Sequence, residues 1–477
     1  MTTDGRMSTW ALIATSVPMF MVSLDNLIVT NALAEIGKEF EVRQSELQWV
    51  MNGYVLAFAG LLLAGAALGD RFGRRRVFLT GVTLFTASSV ACALADSVGT
   101  LVVARVLQGA GAAAILPVSL TLAVAAVSRE RRNLAVGVWG GVNGLGIAIG
   151  PLAGGLVTEQ IHWSWIFWIN VPVGVLALPL ALWAVKESRG AERELNVVSM
   201  VLVTGSVVSA VWGIVSAADH GWTASATVIG LSAALVLAIA FVVSERASKA
   251  PLIPSHMYRV PAFVLSNVVS ITMYFGVFGS IFFLTQFLQG PMGYSPFEAG
   301  LRTLPWTVAP MIVVPVASQF VDRIGGGVLQ AAGCALQGVG LGWIAVIVTP
   351  DVGYGAMVPA LALAGVGMGL VFAGNPATVI SSVRESEHNK ASGVNNTSRE
   401  FGGALGVAAL TTVFSHRFTD NSSGDPMAAF TDGLEAALWI GVAVVMLGAV
   451  SGLFIRRGAA HAGEDAVQQA PATVPVG

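Results

Sequence analysis

The segment Gly65 to Arg76 reads GAALGDRFGRRR and separates two long apolar runs. It holds one acid and four arginines between Asp70 and Arg76, in a chain of 477 residues that is only 11% charged. A run of about twenty apolar residues can span a membrane as a helix, and positively charged loops stay on its cytoplasmic side. The segment therefore predicts a tight cytoplasmic turn between two transmembrane helices.

The composition extends this prediction to the whole chain. Hydrophobic residues make up 55% of the sequence, and the mean hydropathy is +0.75, which is too apolar for a soluble protein of this size. The 55 glycines are spread through the apolar runs, where small residues let helices approach closely in lipid. No extended basic face is present, which disfavours nucleic acid as a partner.

Apolar runs of about twenty residues predict fourteen spans. They lie at 10–34, 47–69, 77–96, 99–124, 134–158, 163–185, 196–217, 223–244, 262–288, 299–321, 328–349, 355–380, 399–415 and 434–455. The first run is too long for a secretory signal and is interrupted by Asp25, so it is expected to be retained. Residues 416–432 are expected to form an external loop, and residues 458–477 a disordered tail.

Arginine and lysine are concentrated in alternate loops. They fall in the segments 71–76, 129–132, 186–193, 246–259, 323, 384–399 and 456–457. By the positive-inside rule, these segments and both termini are cytoplasmic. The expected location is the cell inner membrane. Cys92 and Cys334 lie within apolar runs, so they are expected to pack there instead of forming a disulfide or a metal site.

The opening turn has a second copy. Asp70-Arg71-Phe72-Gly73 recurs as Asp322-Arg323-Ile324-Gly325, an offset of 322 − 70 = 252 residues. This predicts two related six-helix bundles, at 1–188 and 259–457, around a two-helix insertion at 189–258. Helical bundles built from repeats are typical of secondary transporters.

Several further motifs follow in order. They are Asp25 within SLDNLIVTNAL, Arg105 within LVVARVLQGAGAAA, the run GIAIGPLAGG from Gly146 to Gly155, and WSWIFWINVP from Trp163 to Pro172. With the opening turn, they resemble the signatures of the major facilitator superfamily, and within it the fourteen-helix drug:proton antiporters. The resemblance implies an all-α fold of two pseudo-symmetric six-helix bundles plus two central helices, with fourteen transmembrane helices in all.

The resemblance also implies roles for the motifs. Asp70, Arg71, Gly73 and Arg74, with Asp322 and Arg323 in the second copy, would form a conformational latch. One departure is that Ala66 stands where the family usually has a glycine, with Gly65 one place earlier, which puts the closeness of that helix contact in question. The antiporter helix would use Gly146, Gly150, Pro151, Gly154 and Gly155, because a small-residue face bent at proline can slide against a neighbouring helix.

Asp25 and Arg105 are the predicted coupling pair. With a rise of 1.5 Å per residue they lie about 13 and 9 Å below the external surface, so the arginine side chain could reach the acid. Charged groups at such depth are costly and usually functional. We expect Asp25 to carry the coupled proton, or a cationic substrate in its place, and Arg105 to tune it. The alternative is a purely structural ion pair.

Candidates for the substrate cavity are aromatic and amide side chains. Phe275, Phe278, Phe282 and Gln286 recur at helical spacing in the ninth span, and such a face could line a pocket or simply pack. Asn31 and Asn375 are further polar candidates. Glu298 and Arg302 are more plausibly a pair at the start of a helix.

The sequence thus predicts a proton-coupled exporter of drugs, antibiotics or other amphipathic small molecules that works by alternating access. It would act as a monomer in the lipid bilayer, driven by the proton gradient without a cofactor. A major facilitator that imports or exports a specific metabolite is the alternative. An intramembrane enzyme is disfavoured, because no HExxH, GxSxG or P-loop pattern occurs. A channel is disfavoured because it would not need latch turns duplicated on the cytoplasmic side.

Overall fold

The computed structural model describes residues 3–42, 44–128, 131–190, 196–248, 251–420 and 425–456. Within these residues the chain is helical and contains no β-strand. The helices are α1 (Thr3–Phe40), α2 (Gln44–Phe72), α3 (Arg74–Ala93), α4 (Val98–Ala125), α5 (Arg132–Gln160), α6 (Trp165–Trp168), α7 (Asn170–Ala184), α8 (Val197–His220), α9 (Ser225–Ala247), α10 (Pro261–Gln289), α11 (Pro296–Thr307), α12 (Ala309–Ser318), α13 (Val321–Ile324), α14 (Gly326–Ile347), α15 (Tyr354–Ser381), α16 (His388–Asp420) and α17 (Pro426–Leu453).

Among the described residues, eleven helical segments are long and apolar enough to cross a membrane. The predicted sixth span is α6 followed by α7, and the tenth is α11 followed by α12, where Pro310 lacks the amide proton needed to continue the first helix. The remaining long helices, α1, α5 and α16, are not among these eleven segments, and the described part of α5 contains a shorter apolar stretch, Leu134–Gly146. The chain is an all-α, multi-pass membrane protein, and membrane crossing by these three helices stays a prediction.

Two boundaries near the C-terminus differ from the prediction. The external loop expected at 416–432 is wrong, because α16 continues to Asp420 and α17 already begins at Pro426. Asp425 caps α17 by accepting a hydrogen bond from the amide of Met427 at 2.9 Å, and proline is favoured at the first helical position. Residues 421–424 and the tail at 458–477 lie outside the described residues.

The start of α16 is the second difference. The sequence places Arg384 to Arg399 in a cytoplasmic loop, but the helix begins at His388. Arg399 therefore lies eleven residues into the helix (399 − 388 = 11), about 16 Å along its axis. A search for apolar runs does not detect the start of this helix, because residues 388–400 are mostly polar. These residues face the protein interior and not lipid.

The helices pack as two bundles with corresponding partners. Under the 252-residue repeat, the pair α1 with α5 of the N-terminal half (α1–α7) corresponds to α10 with α16 of the C-terminal half (α10–α17), and α3 with α4 corresponds to α14 with α15. Helices α8 and α9 pack on each other, and α8 contacts both α2 and α16. This placement puts the pair against the outside of both halves.

The two copies of the opening turn share one backbone device. Gly73 lies between α2 and α3 with a φ of 113°, and Gly325 lies between α13 and α14 with a φ of 94°. Only glycine adopts such angles without strain. Gly65 supplies the close helix contact that the Ala66 departure had put in question, because a Cβ there would lie 2.3 Å from the carbonyl oxygen of Ala113 in α4.

Candidate functional site: a buried ion pair and an inter-half cavity

Asp25 of α1 and Arg105 of α4 form a fully buried ion pair. Arg105 Nη1 lies 2.5 Å from Asp25 Oδ2, and neither side chain is exposed. The same nitrogen donates to Gln108 Oε1 at 2.7 Å, three residues further along α4. The i, i+3 spacing places the arginine and the glutamine on one helix face toward α1.

The second oxygen of Asp25 is also occupied. Oδ1 accepts hydrogen bonds from Gln108 Nε2 at 2.9 Å and from Asn170 Nδ2 at 2.8 Å. Ser89 of α3 joins the network, because its hydroxyl accepts from Gln108 at 2.8 Å. Side chains from α1, α3, α4 and α7 therefore meet at one carboxylate.

Arg105 is held on its other side by an aromatic ring and a backbone carbonyl. Its Cζ lies 4.1 Å from the centroid of the Tyr54 ring and 5.8 Å from that of Phe167, and Nε donates to the Val50 carbonyl at 3.3 Å. Nη2 is buried without a partner among the described residues, as are Tyr54 Oη and Asn170 Oδ1. The network thus keeps unused donors and an acceptor beside the ion pair.

Three side chains, Arg105, Gln108 and Asn170, therefore donate hydrogen bonds to one buried carboxylate. Gln108 and Asn170 were not predicted, although both lie within quoted motifs. Their position in the ARVLQG and WINVP segments was the only signal, since a polar side chain in a span does not reveal which way it faces.

The first copy of the turn contacts the C-terminal half at a face called here the latch side. Asp70 and Arg74 are both buried, with Arg74 Nη2 2.9 Å from Asp70 Oδ1. Arg74 also donates to the Ser386 carbonyl of the C-terminal half at 3.4 Å. Arg71 is exposed, as are Asp322 and Arg323 in the second copy, so the two copies differ in burial.

Further contacts join the two halves on the latch side. Arg132 Nη2 lies 2.9 Å from Glu385 Oε1, and Asn389 Nδ2 donates to the Ala66 carbonyl. Burial, together with the neighbouring positive charges of Arg132 and Arg74, lowers the pKa of His388 to about 4. His388 is therefore neutral at physiological pH, which avoids a third cation at this interface.

The glycine face of α5 is divided between two neighbours. A Cβ on Gly146 or Gly154 would lie 2.7 Å from Ser23 Cβ or 2.6 Å from the Ile28 carbonyl oxygen, both on α1, the helix that carries Asp25. Gly155 instead faces Phe297 of α11, with a Cβ distance of 3.3 Å. Gly150 is buried, and the side chain of Pro151 lies outside the described part of the structure.

A small cavity lies between the two halves. Its apolar lining consists of Val22, Phe58, Leu116, Tyr274 and Phe278, and its polar lining of Ser23, Asn26, Asn143, Asn396, Arg399 and Glu400. Its volume is about 30 Å³, which is room for about two water molecules. An organic substrate would need the halves to separate further.

The four residues of α10 that were predicted to line the cavity lie in different environments. Phe278 lines the cavity and stacks on Tyr274, with ring centroids 5.6 Å apart. Phe275 is buried in the core of the C-terminal half, whereas Phe282 and Gln286 are exposed.

The two predicted asparagines lie elsewhere. Asn375 is buried in a network with Ser270, Gln330 and Asn395, away from the lining. Asn31 lies in α1, with its side chain outside the described residues. Arg399 and Glu400 were not predicted as cavity residues, because the sequence suggested that the first was in a loop.

With this geometry in place, the chain can be compared with known proteins. The profile of the Major Facilitator Superfamily matches residues 15–407, which is most of the chain. The chain belongs to the major facilitator superfamily. The match confirms the family resemblance that the sequence motifs indicated.

Other members of the superfamily are similar over most of their length. The tetracenomycin C resistance and export protein of Streptomyces glaucescens is 35% identical over 412 residues, covering 86% of this chain and 76% of the relative. The cephamycin export protein CmcT of Amycolatopsis lactamdurans is 35% identical over 454 residues, covering 94% and 92%.

Solved structures of major facilitators share the fold. The proton:xylose symporter XylE, bound to 6-bromo-6-deoxy-D-glucose, superposes with a TM-score of 0.66 at 15% identity, covering 95% of this chain and 97% of the symporter. The human organic anion transporter MFSD10 gives a TM-score of 0.62 at 14% identity, covering 95% and 100%. At these identities the likeness concerns the fold alone.

Proposed function

We propose that this major facilitator exports antibiotics or other amphipathic small molecules in exchange for protons. The observation that carries the coupling is the Asp25–Arg105 pair, a carboxylate and a guanidinium 2.5 Å apart and fully buried. Charges at such depth are expensive and usually mark an ion pathway. The direction of transport is supported by the relatives, which include export proteins for tetracenomycin C and cephamycin.

The proposed cycle has two alternating states. With the latch side closed by Arg74 and Arg132, a proton from outside binds Asp25 and weakens its ion pair with Arg105. The halves then rock about the inter-half cavity, the latch opens, and substrate enters from the cytoplasm as the proton leaves. The proton gradient drives this cycle without a cofactor, in a monomer embedded in the inner membrane with both termini cytoplasmic.

The fold by itself does not determine direction, since the xylose symporter shares it. An importer or exporter of one metabolite is therefore the alternative function. The GIAIGPLAGG run of α5, which resembles the antiporter motif, favours exchange. A channel would not need a latch built from contacts between the halves. An enzyme would need a set of reactive side chains, whereas the proposed transport cycle needs only a proton-binding carboxylate and its arginine partner.

An efflux-deficient bacterial host tests the proposal directly. Expression should raise resistance to some members of a panel of cationic, neutral, anionic and zwitterionic antibiotics, and Asp25→Asn should abolish this resistance at equal membrane levels. Asp351→Asn is the matched control, because Asp351 is exposed and lies between α14 and α15. Equal sensitivity with and without the protein across the panel would contradict export. Increased sensitivity would favour import.

A further inference from the structure

The inter-half cavity holds two charged side chains that the coupling network does not use. Arg399 and Glu400 are consecutive residues of α16, and both line the cavity. Arg399 is only 4% exposed, and Glu400 is half-buried. Within the described residues, neither forms an ion pair with an opposite charge.

Arg399 is held in place mainly by aromatic rings. Its Cζ lies 5.9 Å from the Trp139 ring centroid and 5.5 Å from the Tyr274 ring centroid. Trp139 belongs to α5 of the N-terminal half and Tyr274 to α10 of the C-terminal half. The guanidinium therefore sits between the halves, where cation–π contacts stabilise it without using its N–H groups.

Most of the hydrogen-bonding capacity of Arg399 remains available. Nη1 makes one long hydrogen bond to Asn396 Oδ1 at 3.4 Å, and Nε is buried without a partner. A guanidinium has five N–H donors arranged to bind a carboxylate with two parallel bonds. The side chain is thus prepared to receive an anionic group from within the cavity.

Glu400 offers the complementary charge at the same site. Its carboxylate has no hydrogen-bond partner among the described residues. Desolvation of this carboxylate is costly, the neighbouring positive charge of Arg399 offsets only part of the cost, and a bound group of opposite sign would offset more of it. A ligand with only one charge would bind one of these two side chains and bring no opposite charge to the other.

We propose that the cavity selects zwitterionic substrates. The anionic group of the substrate binds Arg399, its ammonium group binds Glu400, and its apolar body packs on Phe58, Tyr274 and Phe278. This inference rests on the proposed export function and adds the substrate class. It also links binding to movement, because Arg399 contacts aromatic rings of both halves.

The test uses one scaffold in three charge forms. Ciprofloxacin carries a carboxylate and a protonated piperazine at neutral pH, its methyl ester keeps only the cation, and its N-acetyl derivative keeps only the anion. Binding to the purified full-length protein in nanodiscs is measured by tryptophan fluorescence and calorimetry. We expect each singly charged form to bind at least tenfold more weakly than the zwitterion.

Two variants assign each charge to its partner. In Arg399→Gln the zwitterion and the methyl ester should bind equally, because the carboxylate has lost its site. In Glu400→Gln the zwitterion and the N-acetyl form should bind equally. The comparison on the unmodified protein needs no variant, so it stands even if one of them fails to fold.

Equal affinity of the unmodified protein for all three forms would overturn the proposal, as would tighter binding of a singly charged form. Absence of zwitterion binding would also overturn it. The release of protons from the protein on addition of a compound that it exports is recorded on the same nanodisc preparation. If that signal persists while the charge preference is absent, export stands and only the substrate class is wrong.

Discussion

Arg105 Nη1 lies 2.5 Å from Asp25 Oδ2 inside the N-terminal half, and both side chains are completely buried. The two residues come from different helices, 80 positions apart in sequence, and share Gln108 as a common neighbour. A buried pair of this kind is stable as a pair but costly when one partner is removed.

That property predicts the stability of variants at the pair. Arg105→Gln and Asp25→Asn should each destabilise the protein, by about 3 kcal/mol in the range typical of broken buried pairs. The double variant should be more stable than the sum of the two losses implies, because no uncompensated charge remains. Thermal unfolding in one detergent measures all four proteins. Strictly additive losses would show that the two side chains do not interact.

The second prediction compares the two copies of the opening turn. Asp70→Asn removes the charge that holds buried Arg74, so transport should fall at least tenfold. Asp322→Asn is the matched control from the second copy, where the aspartate is exposed, and it should change transport less than twofold. Initial rates of efflux from loaded cells provide the measurement. Equal losses in both variants would mean that burial does not distinguish the copies.

The third prediction concerns Gly65. A Cβ at this position would lie 2.3 Å from the Ala113 carbonyl oxygen, so Gly65→Ala must push α2 from α4 and should cost about 1–3 kcal/mol. Gly99→Ala in α4 is the control, since nothing lies within 4 Å of its Cβ, and alanine favours the helix by up to about 1 kcal/mol. Melting temperatures should move in opposite directions. A neutral Gly65→Ala would contradict the close helix contact.

Much of the helix arrangement could be predicted from the sequence, but the placement of side chains between the two halves could not. The pairing of Asp25 with Arg105 follows from their similar depth, and the two bundles follow from the repeat at Asp70 and Asp322. The sequence suggests a loop at Arg399 because polar residues usually face water. In α16, however, the polar residues face the interior between the two halves. The burial difference between Asp70 and Asp322 is set by packing partners that are distant in sequence.

The fourth prediction is a pH dependence at the latch side. The pKa of His388 is lowered to about 4, against about 6.5 in an unfolded chain. Between these values the unfolded chain binds a proton that the folded protein does not, so stability falls as pH drops from about 6.5 to 4.

The His388 contribution is about 3.5 kcal/mol when the shift is converted at about 1.4 kcal/mol per pH unit. Melting temperatures recorded across this pH range should decline more steeply for the unmodified protein than for His388→Gln, which cannot titrate. Parallel curves for the two proteins would rule out His388 as the source.

The central claim is that Asp25 couples substrate movement to protons. The most direct measurement is proton flux in proteoliposomes, with an internal pH dye and an exported compound added on one side. The account predicts that the unmodified protein and Asp351→Asn move protons when the compound is added, whereas Asp25→Asn moves none yet still exchanges labelled compound across the membrane. Proton flux of unchanged size in Asp25→Asn would contradict it.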